Sequence, residues 1–220
     1  MSTRTSSSAF GDYHGPVGTV VLRRWKSIEV MQGRPGPREK KGTLSQQQQN
    51  NIFGMVSSFF PSAKRLINLG FQEPKAAKMS PYNAAVSYHI LNAVFGDPGD
   101  PHLNLSKVRL SYPIRHTEPA CNAVLLTEPG FKVTVRWEQN PFPMKCTKLD
   151  DRVVIAYYDS HRKKFIRERD ALRSDGSVTL THTEWSAAGE LYYYMFMLSQ
   201  DGKLVSETEY LGMVSLTEGI

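Results

Sequence analysis

"LYYYMFMLSQDGKLVS", residues 191–206, decides the fold. Leu191–Leu198 is a run of apolar and aromatic residues, a composition that suits a β-strand. Asp201-Gly202 follows, and then a second run, Lys203–Ser206, continues to Tyr210–Ser215. An Asp-Gly pair between two β-runs predicts a hairpin, with a type I′ turn because both central residues tolerate positive φ. The Tyr192–Tyr194 cluster then falls on the penultimate strand.

Working upstream, the same pattern repeats. Val108–Tyr112, Phe131–Trp137, Arg152–Tyr158, Lys164–Arg167 and Ser177–Thr181 are short β-prone runs, separated by the turn signals "EPG", "NPFP" and "SDG". About seven strands in just over 100 residues predict an antiparallel two-sheet β-sandwich of immunoglobulin or fibronectin type III kind over residues 108–220. "SHRKKFIRERD", residues 160–170, reads as a solvated hairpin within it.

Residues 43–107 read as helical. Thr43 or Ser45 can cap "QQQQNNIFGMVSSFF", and Ile52, Phe53, Val56, Phe59 and Phe60 fall on one apolar stripe. Pro61 ends that helix or begins the next, and Leu66, Ile67 and Leu69 continue an apolar face to Gly70, a C′ residue by its type. "MSPYNAAVSYHILNAVFG" has Ser80 as N-cap, Pro81 at the first helical position and Gly96 as its stop. The expected class is therefore α+β.

The remaining segment, residues 1–42, is a basic β-prone arm and linker. Val17, Val20, Val21 and Leu22 form a two-faced β-run, Ile28 and Val30 a second, and Arg23–Ser27 the bend between them. Gly15 and Gly18 suit tight bends. "GRPGPREKKG" excludes helix and central strand. The chain carries a net charge of +6. Residues 1–41 hold most of that excess: Arg4, Arg23, Arg24, Lys26, Arg34, Arg38, Lys40 and Lys41 face only Asp12, Glu29 and Glu39. Such asymmetry marks contact with nucleic acid, an anionic surface or an acidic partner.

Several chemistries find no support in the residues. "GPVGTV" lacks the third glycine of a dinucleotide loop and leads into a β-run, so no helix N-terminus faces a phosphate. The six histidines contain neither HExxH nor an i,i+4 pair. His89, on an apolar helix face, reads as a satisfied core histidine. The acidic pairs Asp150-Asp151 and Glu207 with Glu209 read as turn and solvent-facing residues. No GxSxG occurs. Cys121 and Cys146 form no disulfide framework, and reduced, half-buried thiols are expected. No catalytic residue, cofactor, metal or small-molecule substrate is assigned, and a non-enzymatic protein is expected. No apolar run is long enough to span a membrane. "MSTRTSSSAF" has one Arg and no apolar h-region, which predicts a cytoplasmic start, with lysis or leaderless export as later routes.

Two functions compete. In the first, the chain is a structural or interaction subunit of a homo-oligomer, such as a filament, surface or virion-type assembly. Its arm, through Val17, Val20, Val21, Leu22 and Trp25, adds to a neighbouring subunit. In the second, Arg23, Arg24, Lys26, Arg34, Arg38, Lys40 and Lys41 contact nucleic-acid phosphates while Trp25 stacks on a base. The absence of any RRM, KH, zinc-finger or helix-turn-helix pattern favours the first.

"GPVGTVV…WKSI", "GFQEPKAAKMSPYNAAVSYHILNAVFG" and "LSQDGKLVSETEYLG" resemble an uncharacterised family of Bacteroidota, domain of unknown function 6266. The similarity runs over nearly the whole chain, and its most specific element is "KMSPYNAAVSY", Lys78 to Tyr88. Ser27, Gln32 and Asn50-Asn51 depart from the family's pattern. The resemblance implies a single recurring module of bacterial or mobile-element origin and brings no activity, substrate or cofactor. Within the shared stretch Asn83 is expected to bond backbone at the first helical turn.

Overall fold

Residues 15–25, 28–36, 42–73, 79–167, 171–182 and 189–215 are described by a computed structural model, with backbone alone at Trp25 and Ile28. The chain divides into two compact units, up to Thr43 and from Leu44 onward.

The first unit contains a three-stranded antiparallel sheet of β1 (Gly15–Val17), β2 (Val20–Trp25) and β3 (Ile28–Gly33). Gly18, at φ +59°, lets the two-residue loop close between Val17 and Val20. The expected bend over Arg23–Ser27 is corrected. Arg23, Arg24 and Trp25 lie inside β2, opposite Val30, Glu29 and Ile28, and only Lys26 and Ser27, outside the described residues, separate the strands.

The second unit opens with α1 (Leu44–Phe59), α2 (Lys64–Gly70) and α3 (Pro81–Asn92). Ser80 caps α3 as expected: its side chain accepts the Asn83 N–H at 3.2 Å, and Pro81 stands in the first turn. The helix ends four residues before Gly96, which instead sits in a small hairpin of β4 (Val94–Phe95) and β5 (His102–Leu103). Three further strands, β6 (Cys121–Glu128), β7 (Lys132–Glu138) and β11 (Ser177–Thr181), form one antiparallel sheet. The largest sheet has β10 (Ala171–Leu172), β8 (Arg152–Asp159), β12 (Glu190–Leu198) and β13 (Glu209–Ser215) in order, with β9 (Lys164–Arg167) also paired to β8.

Alternation along β8 and β12 builds three layers. Val153, Ile155, Tyr157, Leu191, Tyr193, Met195 and Met197 share a core with Val133, Val135 and Trp137 of the three-stranded sheet. The intervening residues Val154, Ala156, Tyr158, Tyr194, Phe196 and Leu198 share a second core with Val56, Phe60, Ile67 and Ala85 of the helices. A strand covered on both faces reads as a continuous apolar run, which is why "LYYYMFML" shows no period of two. Helices and sheets therefore belong to one compact unit, and the boundary expected at 107/108 does not separate two.

Val108–Tyr112 is not a strand, and the reason lies in where its amides donate. Arg109 N–H goes to His89 Nε2 (2.9 Å), Leu110 and Ser111 N–H to Thr208 Oγ1 (2.9 and 2.7 Å), and Tyr112 N–H to the Gly70 carbonyl (2.9 Å). Side chains have taken three of the four donors that a ladder would use, leaving one parallel bridge between Tyr112 and Phe71. This crossing also explains Gly70, which is buried within α2. A Cβ there would stand 2.5 Å from the Leu110 carbonyl oxygen.

Sequence reasoning misses β6. Its outward Val124 and Leu126 are exposed, and a register shift between Cys121 and Val124, with Asn122 at φ +48°, blurs its alternation. The Asp201-Gly202 turn is real but not type I′. Only Gly202 has positive φ (+71°), its N–H donates to Ser199 O, and Asp201 Oδ1 accepts the Ser199 hydroxyl at 2.6 Å.

Candidate functional site

The register of β1–β3 sorts the expected arm residues by face. Val17 stands opposite Val20, and Leu22 opposite Met31, so these four apolar side chains share one face. Val21 pairs with Gln32 and points the other way, apart from the residues grouped with it from sequence. The side chain of Trp25 lies outside the described residues. Met31, absent from the expected set, completes this apolar cluster, which shares its face with the paired Arg24 and Glu29, and a hairpin register applied to "VVLRRWKSIEVM" would have found it. No described side chain of this sheet is buried, and Val17 and Met31 are 51% and 60% exposed.

The expected phosphate contacts divide similarly. Arg23 and Arg24 are both exposed but are neighbours on one strand, so they project from opposite faces. Arg24 stands directly across from Glu29, which offsets its charge. Arg34 is exposed just beyond β3, and its N–H donates to the Thr19 carbonyl at 2.7 Å. Lys26, Arg38, Lys40 and Lys41 lie outside the described residues.

In the second unit an apolar groove of about 470 Å³ opens between α1 and α3. Phe53, expected in the core stripe, is 55% exposed along it, and Leu91 of α3 is 74% exposed. Only Val56 and Phe60 of that stripe are buried, because α1 rotates this edge onto the β-sheet. Asn83 lines the groove with an exposed side chain. Its backbone N–H, not its side chain, makes the contact with the N-cap.

A second, polar cleft of about 390 Å³ gathers Tyr88, Asn92, Lys107, Arg109, Thr208 and Tyr210. The Arg109 guanidinium stands 5.5 Å from the Tyr88 ring centroid and 5.9 Å from that of Tyr112, with Nη1 3.3 Å from Glu207 Oε2. One carboxylate and two ring faces thus compensate the cation already. Burial raises the Tyr88 phenol, while Arg109 pulls it back.

The buried titratable groups act as framework. His89 is fully buried; its Nδ1 lies 2.7 Å from the Ala85 carbonyl, and Nε2 accepts the Arg109 N–H. That pairing puts the ring proton on Nδ1, and burial lowers its pKa to about 4. His182 meets the Tyr193 hydroxyl at 2.6 Å, and burial lowers its pKa while Asp159 opposes the shift. Asp151, expected in turn-like sequence before a strand, is 1% exposed. It takes the Thr117 hydroxyl at 2.8 Å and lies 3.5 Å from Arg173, whose guanidinium also donates to the Glu118 and Pro119 carbonyls. This latch joins the loops before β6, β8 and β11. Cys121 and Cys146 are free and half-buried. Among the described residues no group of three or more His, Cys, Asp or Glu is placed to hold a metal, and no helix is long and apolar enough to cross a membrane.

A module of two β-sheets and a helical layer, joined to a separate N-terminal sheet, is the class that these observations define. The chain belongs to the family of unknown function DUF6266, whose model matches residues 12–212. Among curated proteins none matches it. Among solved structures it is similar to the fn3 domain of human collagen alpha-1(XX) chain, at 14% identity and a TM-score of 0.37, over 50% of this chain and 93% of that one.

Proposed function

We propose that this protein is a non-enzymatic interaction subunit that self-associates through its N-terminal sheet. The observation that carries the reading is the unburied apolar face of Val17, Val20, Leu22 and Met31. A small sheet without a covered face is marginal in water and gains stability when a partner covers it. Each large apolar side chain fully buried in that way contributes about 1.5–3 kcal/mol before the cost of association. The two-sheet part of the second unit serves, in this reading, as an immunoglobulin- or fibronectin-type sandwich that presents the arm, supported by the core shared between β7, β8 and β12.

Static light scattering on the full chain beside a chain lacking residues 1–42 tests the reading. The expected result is a larger particle for the full chain. Equal multiples of the monomer mass, with both chains folded by circular dichroism, would remove its basis.

Nucleic-acid binding through exposed Arg23, Arg24 and Arg34 is the weaker alternative, because two of the three project to opposite faces of one strand. Three phosphate contacts would give a log–log salt slope of roughly −3 in filter binding. Binding of that steepness would reinstate it.

A further inference from the structure

We propose that the polar cleft between the end of α3, residues 106–109 and the start of β13 binds a small oxyanion, the phosphate or carboxylate group of an organic anion. The inference goes beyond the arm reading and uses none of its residues.

The backbone aims two cations into this cleft. Val108 and Leu110 are buried at 2% and 0% exposure, and Val108 is extended, so Lys107 and Arg109 turn outward together. Both line the cleft. Their segment is held from three sides: the Leu105 carbonyl accepts the Tyr194 hydroxyl at 2.8 Å, Thr208 Oγ1 takes the Leu110 and Ser111 amides, and His89 takes that of Arg109. Side chains two residues apart on one extended face start roughly 6–7 Å from each other. Two positive groups fixed in that way repel unless an anion lies between them.

The walls of the cleft supply donors and no charge to match them. Its eight lining residues include two cations and no carboxylate. Glu207 pairs with Arg109 Nη1 at 3.3 Å from outside that lining, and its side chain is 61% exposed, so it can swing into solvent. The ring faces of Tyr88 and Tyr112 attract the guanidinium charge but offer its N–H groups no lone pair. Among the described residues no hydrogen bond reaches the Arg109 guanidinium, the Lys107 ammonium or the hydroxyls of Tyr88 and Tyr210. Four residues with unmatched donors around one concave space fit a ligand group made only of acceptors. An oxyanion is such a group: it takes the planar fork of an arginine and the point charge of a lysine together. The volume of about 390 Å³ stands at the small end of ligand pockets, which suits a small anion. Glu207 then acts as the competitor that the ligand displaces from Arg109.

Isothermal titration calorimetry of the full chain at low ionic strength tests this, with inorganic phosphate, acetate and a short oligothymidylate as probes. Phosphate, acetate or both are expected to saturate one site per chain. Lys107→Gln should weaken that binding about tenfold. Glu207→Gln should tighten it about threefold, because the competing carboxylate is gone. Both side chains are exposed, so both variants should keep the wild-type circular dichroism spectrum, and a merely structural role would not give opposite signs. Absence of saturable binding by either small anion overturns the inference, and so does binding that neither substitution changes. Binding of oligothymidylate with both small anions silent also overturns it, since the cations would then serve a polymer's phosphates. None of these outcomes is read from particle mass, so a failure here leaves the arm reading standing.

Discussion

Strands β12 and β2 are both rich in residues that favour strands but differ in what covers them. In β12, Tyr193 through Leu198 are at most 2% exposed, because helices cover one face of the sheet and the β6–β7–β11 sheet covers the other. In the N-terminal sheet, Val17 and Met31 are more than half exposed and no described side chain is buried. The hydrophobic effect acts on area removed from water, not on residue type. The buried apolar area that stabilises the fold therefore lies in the second unit, whereas the described apolar side chains of the first remain half-buried or exposed.

The sharpest way to break this contrast is to empty the doubly covered layer. Phe196→Ala removes a side chain that is 2% exposed between the sheet and the helices. It should cost about 3–5 kcal/mol, read from urea unfolding. A loss near that of a surface substitution would show that the helical layer is not part of the core.

The next largest effect concerns pH. The folded pKa of His89 is lowered to about 4 from 6.5, so the unfolded chain binds more protons between those values. Stability from this group is present above about pH 6.5 and falls as pH drops through that window, by on the order of 3 kcal/mol at pH 4 and below. An NMR titration should show His89 neutral until about pH 4. A midpoint near 6.5 would mean that the ring is not buried away from water. Gly70→Ala ranks third. The new Cβ meets the Leu110 carbonyl oxygen, a backbone atom that cannot swing aside, and the cost should be about 1–3 kcal/mol in thermal unfolding.

Val17→Ser should change least. Its effect on unfolding free energy is expected within about 0.5 kcal/mol, while the associated mass falls in light scattering. A large loss of stability would mean that this face is already covered within the chain.

Much of the element order was legible in advance, but the layering was not. Uniform runs such as "VVIAYY" and "LYYYMFML" announce strands, and Ser80-Pro81 announces a helix start. What the runs do not state is how many layers cover them, since a strand buried on both faces looks the same whether a sheet or a helix lies above. Val108–Tyr112 misled for another reason: its β-propensity is genuine, but His89, Thr208 and Gly70, distant in sequence, take its amides. β6 hid behind a bulge. On the candidate surfaces, the shared face of Val20 and Leu22 was readable from alternation, whereas Val17, which alternation places on the opposite face, and Met31 required the hairpin registers. Phe53 looked like core because a helical stripe does not reveal which edge a neighbour leaves uncovered.

Amide hydrogen exchange on the full chain at several protein concentrations tests the central claim most directly. If the N-terminal sheet is held by association, protection of the Val20–Arg24 amides should rise with concentration, while that of the Tyr193–Leu198 amides stays high throughout. Protection of Val20–Arg24 that is strong and independent of concentration would contradict the account, because the sheet would then be stabilised within a single chain.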